Sequence, residues 1–343
     1  MSRLYVLIVL LIAGCTRIDL GHVGPQSNES WRAVHFLGYE TDTYLDSLSR
    51  HIPELAEMGI NVLILEVDYH FEFNSQPELR QGKVQITKEG ARRFARCCRK
   101  NDIRLFIQFQ CLGHQSWAGE TFPLLTNYPH FDLTPGAFPN NEGIYCREWD
   151  PTNPDLHSIV FQLLDELIDA FQTEGIHVGM DEVFLLGHEK SPSTFGKDPA
   201  LLFANAVNEL HTHLVKKRGV EMLMWGDRFI DGEKFDYGEW EASLNGTAAA
   251  VDMVPRDIII CDWHYEPRAE YPSIPMFIKK GFRVLPTSWR NVEASRNLIE
   301  YSLGLNHPQV LGHLFTRWSV YEDPVKYEPI VEGLKIIHGP DEY

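Results

Sequence analysis

The chain has 343 residues, of which 44% are hydrophobic and 23% are charged. This composition is typical of a globular protein and excludes collagen-like, coiled-coil and broadly disordered classes. The formal net charge of −17 repels a nucleic-acid backbone, so no nucleic-acid partner is expected. At roughly 150 residues per domain the length suggests two domains, although one α/β barrel can occupy the whole chain.

The first residues are typical of a bacterial export signal. Arg3 supplies a positive charge, and the apolar run over residues 4–12 is too short to span a bilayer. The run ends in Ala-Gly-Cys15, which resembles a lipobox, in which cleavage leaves the cysteine to carry lipid. We therefore predict a signal peptide over residues 1–14, then a lipidated Cys15 and a polar tether over residues 15–30. A plain secretory signal with an incidental cysteine is the alternative.

A lipid on Cys15 would anchor the chain in a bacterial cell envelope. Thr16, rather than an aspartate, follows the cysteine, which favours the outer membrane. Five further cysteines are an odd number and lack the spacing of a zinc site, so we expect free thiols and no metal; they are Cys97, Cys98, Cys111, Cys146 and Cys261.

From Trp31 onward, short apolar runs alternate with amphipathic stretches. The apolar runs are rich in Val, Ile, Leu and Phe without polar alternation, which is typical of buried parallel strands. They predict strands at Ala33–Leu37, Asn61–Glu66, Arg104–Phe109, His177–Gly179, Glu221–Trp225, Ile258–Cys261, Arg283–Leu285 and Val310–Phe315. The 3.6-residue patterns predict helices at Thr43–Met58, Lys88–Lys100, Asn153–Thr173, Pro199–Lys217, Ala269–Lys280, Val292–Leu303 and Pro324–Ile337, with a weak one at Phe235–Leu244.

Eight strands alternating with about eight helices predict an α/β fold, a single (β/α)8 TIM barrel over residues 31–343. An open, doubly wound sheet is the alternative. That fold favours a glycine-rich phosphate fingerprint after the first strand, and Gly38-Tyr39-Glu40 is not one. The connection from Gln110 to Thr152 exceeds normal loop length and should shape the site.

In such a barrel the active site lies at the C-terminal ends of the strands. The C-terminal ends of the predicted strands carry acids, histidines and four of the eight tryptophans. The residues at these ends include Asp68, His114, Asp181, Glu182, Trp225, Trp263, Tyr265, Trp289 and Trp318. Tryptophans beside carboxylates favour a sugar site, since indole rings stack on pyranose faces and carboxylates accept hydrogen bonds from hydroxyls. The other interpretation is that these rings fill the upper layer of the barrel.

The pair Asp181-Glu182 differs from the other Asp-Glu pairs because it follows a buried strand. The segment from His177 to Val183, HVGMDEV, resembles the H-x-G-G-D-E signature of glycoside hydrolase family 20, the β-N-acetylhexosaminidases. With Phe184–Gly187 added, it is similar to the short hexosaminidase D-like branch. Supporting similarities lie in Gln108–His114, Trp263–Tyr265 and Thr316–Glu322.

The resemblance implies a retaining, exo-acting β-N-acetylhexosaminidase that releases terminal GlcNAc or GalNAc from glycans. In this family the acetamido oxygen of the substrate attacks the anomeric carbon. Glu182 would be the general acid and later the base, and Asp181 would orient the acetamido N–H. No metal and no organic cofactor is implied. The candidate substrate-binding residues are Asp68, His114, Trp225, Trp263, Tyr265, Trp289, Trp318 and Glu322.

The sequence departs from the family pattern at some positions. Met180 replaces the second glycine, which is tolerable if its side chain faces the barrel interior. Tyr265 is our candidate for the tyrosine that supports the acetamido oxygen. The run His35-Phe36-Leu37-Gly38 lacks the arginine that ends strand one in larger members. His177, inside the strand, is predicted to be structural, and His114 either packs in its loop or contacts substrate.

Two other functions compete with this interpretation. One is a non-catalytic sugar-binding lipoprotein on a hydrolase-derived barrel, which would have no need for the general acid Glu182. The other is a metal-dependent (β/α)8 hydrolase, which needs clustered histidines such as an H-x-H on strand one, where His35 stands alone.

Overall fold

The structure, a computed structural model, describes residues 29–319 and 323–339. The predicted signal peptide, Cys15, all but the last two residues of the tether, and Glu322 lie outside the described residues. Across these two ranges, no helix combines the length and the apolar character needed to cross a bilayer.

Eight parallel strands close into a barrel, which confirms the predicted (β/α)8 architecture. The strands are β1 (Trp31–Phe36), β2 (Val62–Glu66), β3 (Arg104–Cys111), β4 (Gly175–Gly179), β5 (Glu221–Trp225), β6 (Ile259–Trp263), β7 (Arg283–Ser288) and β8 (Gly312–Arg317). Each strand pairs with its neighbours in the chain, and β1 pairs with β8 in the register Trp31 to Gly312. This closure rules out the open, doubly wound sheet.

Helices surround the barrel. In the described part of the chain they are α1 (Asp42–Ser49), α2 (Ile52–Glu57), α3 (Lys88–Lys100), α4 (Pro123–Asn127), α5 (Pro154–Phe171), α6 (Pro199–His211), α7 (Gly232–Phe235), α8 (Ser273–Lys279), α9 (Val292–Gly304) and α10 (Glu328–His338). The caps follow the sequence signals: Asn153 accepts the backbone N–H of Asp155, and proline opens α5.

The prediction of one helix over Thr43–Met58 is wrong, because the chain forms α1 and α2 with a break between them. Pro53 lies in the first turn of α2. A continuous helix would need a backbone N–H at Pro53 for the Ser49 carbonyl, and the proline ring has none and would clash with that carbonyl.

Two other helix predictions need correction. The helix predicted over Pro199–Lys217 is α-helical to His211 and then continues as a π-helical segment, Thr212–Arg218. The weak helix over Phe235–Leu244 is wrong, because Asp236 has a left-handed φ of 55° that ends α7. Other bounds shift more modestly: α8 starts later than predicted, β7 ends later, and the 3-10 turn Pro324–Lys326 precedes α10.

Two apolar layers hold the barrel together, one between strands and helices and one inside the barrel. Successive strand residues face opposite sides, and the inner layer includes Ala33, Ile64, Phe106, Leu223, Ile259 and Leu314. Two residues further along their strands lie His35, Glu66 and Gln108. The inner apolar layer therefore closes the bottom of a polar cleft at the C-terminal rim.

Candidate active site

The turn after β4 brings Asp181 and Glu182 into one cleft. Gly179, Met180 and Glu182 all have positive φ, at 65°, 68° and 50°, which is costly for the two non-glycine residues. The turn breaks the alternation of the strand, so adjacent acids share a side. The condition set for Met180, that it face the barrel interior, is not met: the same turn directs its side chain into the outer apolar layer, where it is fully buried and so accommodated in another way.

Gln110 of β3 positions Asp181. The ladder between β3 and β4 shifts register between Gln108 and Cys111, and Gln110 donates its Nε2–H to Asp181 Oδ1. A Cβ on Gly179 would overlap the Gln110 amide. Glycine at this position therefore permits the close approach that holds Asp181.

His114 lies between the two acids. Its Nε2 is 3.0 Å from Glu182 Oε2 and 3.4 Å from Asp181 Oδ2. Burial disfavours a charge on this ring, but the nearby Asp181 and Glu182 carboxylates raise the pKa of His114 well above its usual value. Burial likewise opposes ionisation of Asp181, yet the charge of His114 and the hydrogen bonds from His114 and Gln110 lower the pKa of Asp181. The pair favours a charged carboxylate at Asp181 and a charged imidazolium at His114.

Asp227, which follows β5, fixes the backbone of Glu182. Its Oδ2 accepts the Glu182 N–H at 2.9 Å and the Nε–H of the fully buried Arg228 at 2.6 Å. Burial raises the pKa of Asp227 to about 6, against the opposing charge of Arg228. The sequence analysis did not identify Asp227 as a site residue, although it follows the predicted strand Glu221–Trp225 by two positions.

A second pair of acids, Glu66 and Asp68, lies at the end of β2. Glu66 accepts a hydrogen bond from Gln108 Nε2 at 2.7 Å, and Asp68 accepts the backbone N–H of Gln110 at the same distance. Burial, together with Asp181, raises the pKa of Glu66 to about 7, and burial with Glu66 raises that of Asp68 to about 8. Protonation near neutral pH reduces their repulsion of Asp181. Asp68 was predicted from the sequence, and Glu66 was not.

The aromatic residues predicted from strands six to eight form one connected group, which we call the aromatic wall: Trp263, Tyr265, Trp289 and Trp318. The Tyr265 ring lies 4.9 Å from Trp263 and 5.4 Å from Trp289, and its hydroxyl accepts the Trp318 Nε1–H at 3.2 Å. Burial, with the charges of Asp181 and Glu182, raises the pKa of Tyr265. The wall therefore stands close to both catalytic candidates.

Trp225 lies below this wall, in the apolar layer inside the barrel. Its ring packs 4.3 Å from His177 and 6.0 Å from Trp318, and 1% of the residue is exposed. Such burial leaves no open ring face for a sugar. His177 is also fully buried, accepts the Gly179 N–H at 3.1 Å, and has a pKa lowered by burial. A neutral His177 that supports the backbone agrees with its predicted structural role.

Glu148, which comes from the long β3–β4 connection, holds the segment after Glu182. One carboxylate oxygen accepts the backbone N–H groups of Phe184 and Leu185, at 2.6 and 2.7 Å. Burial raises the pKa of Glu148 to about 7. Sequence reasoning missed this residue, although it predicted that the long connection would shape the site.

Within residues 29–319 and 323–339, the donors most suited to a metal coincide with the catalytic candidates. One atom each from His114, Asp181 and Glu182 lie within 4.8 Å of one another. A cation there would occupy the lone pairs that acid–base chemistry needs. On β1, His35 hydrogen-bonds Gln108 at 3.1 Å and has no second histidine beside it on the strand, so the H-x-H of a metal-dependent barrel is missing.

The fold and site are of the carbohydrate-active kind: a parallel barrel with paired acids opposite an aromatic wall. Residues 45–290 match the model of glycosyl hydrolase family 20, catalytic domain, and the chain belongs to this family. No curated protein matches the sequence.

Solved structures with the same fold share little sequence with this chain. A chitobiase from Flavobacterium johnsoniae is 18% identical, with a TM-score of 0.63, over 89% of this chain and 47% of that chain. A β-N-acetylhexosaminidase from Bacteroides fragilis is 13% identical, with a TM-score of 0.59, over 89% and 65%. An exo-β-N-acetylglucosaminidase from Vibrio harveyi, in complex with N-acetylglucosamine, is 14% identical, with a TM-score of 0.60, over 89% and 54%. This chain thus spans less than two thirds of each of these relatives.

Proposed function

We propose that the protein is a retaining exo-β-N-acetylhexosaminidase that uses the acetamido group of its substrate as the nucleophile. The observation that carries this proposal is the joint placement of Asp181 and Glu182 on one turn, bridged by His114 and opposite the aromatic wall. Family membership and the names of the structural neighbours support it. An intact acid pair also favours catalysis over simple sugar binding.

Asp181 orients and stabilises the acetamido group in this proposal. Its carboxylate accepts the acetamido N–H, so the acetamido oxygen can attack the anomeric carbon as the bond to the leaving oxygen breaks. The positive charge that develops on the resulting oxazolinium lies beside a carboxylate whose pKa is held low. Fixed charge in a mostly buried site stabilises such a transition state strongly.

Glu182 transfers the proton at each step. It first donates a proton to the leaving oxygen; its carboxylate then takes a proton from the water that opens the oxazolinium ring at the same carbon face from which the aglycone left. His114, 3.0 Å from Glu182, stabilises the carboxylate formed after the first transfer. Two displacements at one carbon give net retention of configuration.

The aromatic wall binds the terminal sugar. Trp289 and Trp318 are partly exposed, so their rings can stack on a pyranose face, and Tyr265 offers its hydroxyl to the acetamido oxygen. Sugar stacking and a hydrogen-bonded acetamido group together explain how the site would select an N-acetylhexosamine. Asp68 and Glu322 complete the proposed set of substrate contacts.

The test compares p-nitrophenyl N-acetyl-β-glucosaminide with the matching plain β-glucoside. We expect the N-acetyl substrate to be cleaved and the glucoside to be nearly inert, since it lacks the nucleophile. A thiazoline analogue of the bicyclic intermediate should inhibit strongly. Equal cleavage of both substrates, or no effect of the thiazoline, would refute the mechanism.

We also propose that Cys15 carries lipid and anchors the enzyme in a bacterial envelope, on the outer membrane. The apolar run and the lipobox-like ending support this. Metabolic labelling with a palmitate analogue should mark the full chain and not a Cys15→Ser variant. Labelling of both proteins would contradict the assignment.

A further inference from the structure

Three exposed aromatic side chains, Trp117, Tyr145 and Trp240, lie side by side outside the aromatic wall. We call them the aromatic platform. They are 56%, 38% and 44% exposed. The Tyr145 ring lies 5.7 Å from Trp117 and 4.9 Å from Trp240, both edge-on. Contiguous exposed apolar surface on a soluble protein usually marks a binding site.

The platform is continuous with the catalytic candidates. The Tyr145 ring lies 5.7 Å from His114, whose Nε2 is 3.0 Å from Glu182. A general acid must contact the oxygen that joins the terminal sugar to the leaving group. The aromatic wall, from strands β6 to β8, takes the terminal sugar in the proposed function. The leaving group therefore extends on the side of Glu182 and His114, where the platform begins.

A cavity of about 330 Å³ lies against the platform. Tyr145, Phe184 and Trp240 line its apolar part, and Glu189, Lys190 and Glu239 contribute charged groups. The volume falls within the range of small-molecule sites. Flat aromatic rings beside charged hydrogen-bonding groups suit a pyranose ring, which has both C–H faces and hydroxyls.

The backbone that carries Trp240, one member of the platform, is fixed from beneath. Arg228, fully buried, donates hydrogen bonds to the carbonyls of Glu239, Trp240 and Ala242 at 2.7, 3.0 and 2.7 Å. Its guanidinium also packs 4.8 Å from the ring of Phe184, which lies 5.6 Å from Trp240. The Trp240 side chain is therefore exposed while its backbone is fixed, which lowers the entropy cost of binding a ligand.

We infer that the aromatic platform is a binding site for the leaving-group sugar, so that the enzyme recognises an N-acetylhexosamine linked to a second pyranose rather than the terminal sugar alone. This inference rests on the proposed function. Trp240 binds the ring of the leaving sugar, and Tyr145 connects this site to His114. The site sets the preference for oligosaccharides over glycosides with small leaving groups.

The test compares two substrates in Trp240→Ala. One is a β-1,4-linked N-acetylglucosamine disaccharide, and the other is N-acetyl-β-glucosaminyl fluoride, whose leaving group is a single atom. Loss of the apolar area that Trp240 offers should lower kcat/KM for the disaccharide roughly tenfold to hundredfold. Activity on the fluoride should be unchanged, and Trp240→Phe should restore most of the disaccharide activity.

Leu303→Ala is the matched control, because Leu303 is 38% exposed near the C-terminal end of α9, at the opposite end of the barrel. It should match the wild type on both substrates. Unchanged disaccharide cleavage by Trp240→Ala, or an equal loss on both substrates, overturns the inference. Failure of the wild type to cleave the fluoride overturns the proposed function itself, and this inference with it.

Discussion

The substitution Asp181→Asn removes one charge at the centre of the site and leaves its shape nearly intact. In the native site, Oδ1 accepts the Gln110 amide N–H, and Oδ2 lies 3.4 Å from His114 Nε2. An asparagine that keeps its oxygen toward Gln110 turns its NH2 group toward the protonated His114, so that two donors face each other. The flipped amide creates the same conflict with Gln110. Either orientation loses a contact that the carboxylate makes.

The magnitude follows from the charge that is lost. At 3.4 Å and an effective dielectric constant of ~20, the carboxylate and the imidazolium attract by roughly 5 kcal/mol. Both charges are present before substrate reacts, so most of this attraction does not affect the rate. The rate effect comes from the charge developing on the acetamido nitrogen, for which loss of one preorganised partner costs ~2.7–4 kcal/mol. We therefore expect kcat to fall ~10²–10³-fold.

The variant should also respond differently to pH. Asp181 contributes to the raised pKa of His114, so its loss moves that pKa back toward the ordinary value of about 6.5. His114 then loses its proton as the pH rises through this region, whereas the wild-type residue keeps it. We expect activity of Asp181→Asn to change with pH near neutrality, where the wild type has no such transition from His114.

The assay is kcat on an aryl N-acetyl-β-glucosaminide, with the inhibition constant of the thiazoline measured in parallel. Asp165→Asn is the control, since Asp165 also precedes a glutamate but lies on α5, where it pairs with His213 and Arg218. It should retain full activity. A loss below tenfold in Asp181→Asn, or unchanged thiazoline affinity, would refute the role assigned to Asp181.

Three more predictions test other parts of the site. Glu182→Gln should lose ~10²–10⁴-fold on substrates with poor leaving groups and much less on activated aryl glycosides; equal losses would indicate another role. Trp318→Ala should raise KM roughly tenfold with an unchanged melting temperature, and unfolding would instead assign Trp318 to the core. Burial puts the pKa of Glu148 at about 7, above its usual 4.5, so its ionisation costs stability as the pH rises through this interval. Glu148→Gln should reduce the fall in Tm between pH 5 and 7.5 by the equivalent of ~2 kcal/mol, and an identical fall in both proteins would contradict this.

The barrel was predictable because its signals are local. The run Glu221–Trp225 is apolar after its first residue, which is typical of a buried strand. The structure gives this strand the predicted bounds. The same holds for α3, where a threonine cap precedes Lys88 and the apolar spacing is regular. The break between α1 and α2 also has a signal in the sequence, since Pro53 lies inside the predicted helix. The regular apolar spacing across Thr43–Met58 nevertheless favoured a single helix.

The supporting residues of the site were not predictable in this way. Asp227 lies just beyond a predicted strand, but its role depends on the left-handed turn that points the Glu182 N–H toward it. The contact of Gln110 with Asp181 depends on the register shift between β3 and β4. The contact of Glu148 with the segment after Glu182 depends on the path of a long connection. Periodicity reports which face a residue lies on and not its depth, which is why Trp225 was grouped with the exposed rim residues.

The hydrogen bonds of Arg228 to the 239–242 segment affect how the aromatic platform can change during evolution. All three end on backbone carbonyls, and a carbonyl is the same whatever side chain its residue carries. The side chains at positions 239 and 240 are exposed, so they can be exchanged while the main chain keeps its path and Asp227 keeps its hydrogen bond to the Glu182 N–H; Ala242 is fully buried and must stay small. Substitutions at positions 239 and 240 change which leaving group the aromatic platform binds without disturbing Glu182. Mutant libraries aimed at a new leaving group should therefore begin at these positions and keep Arg228.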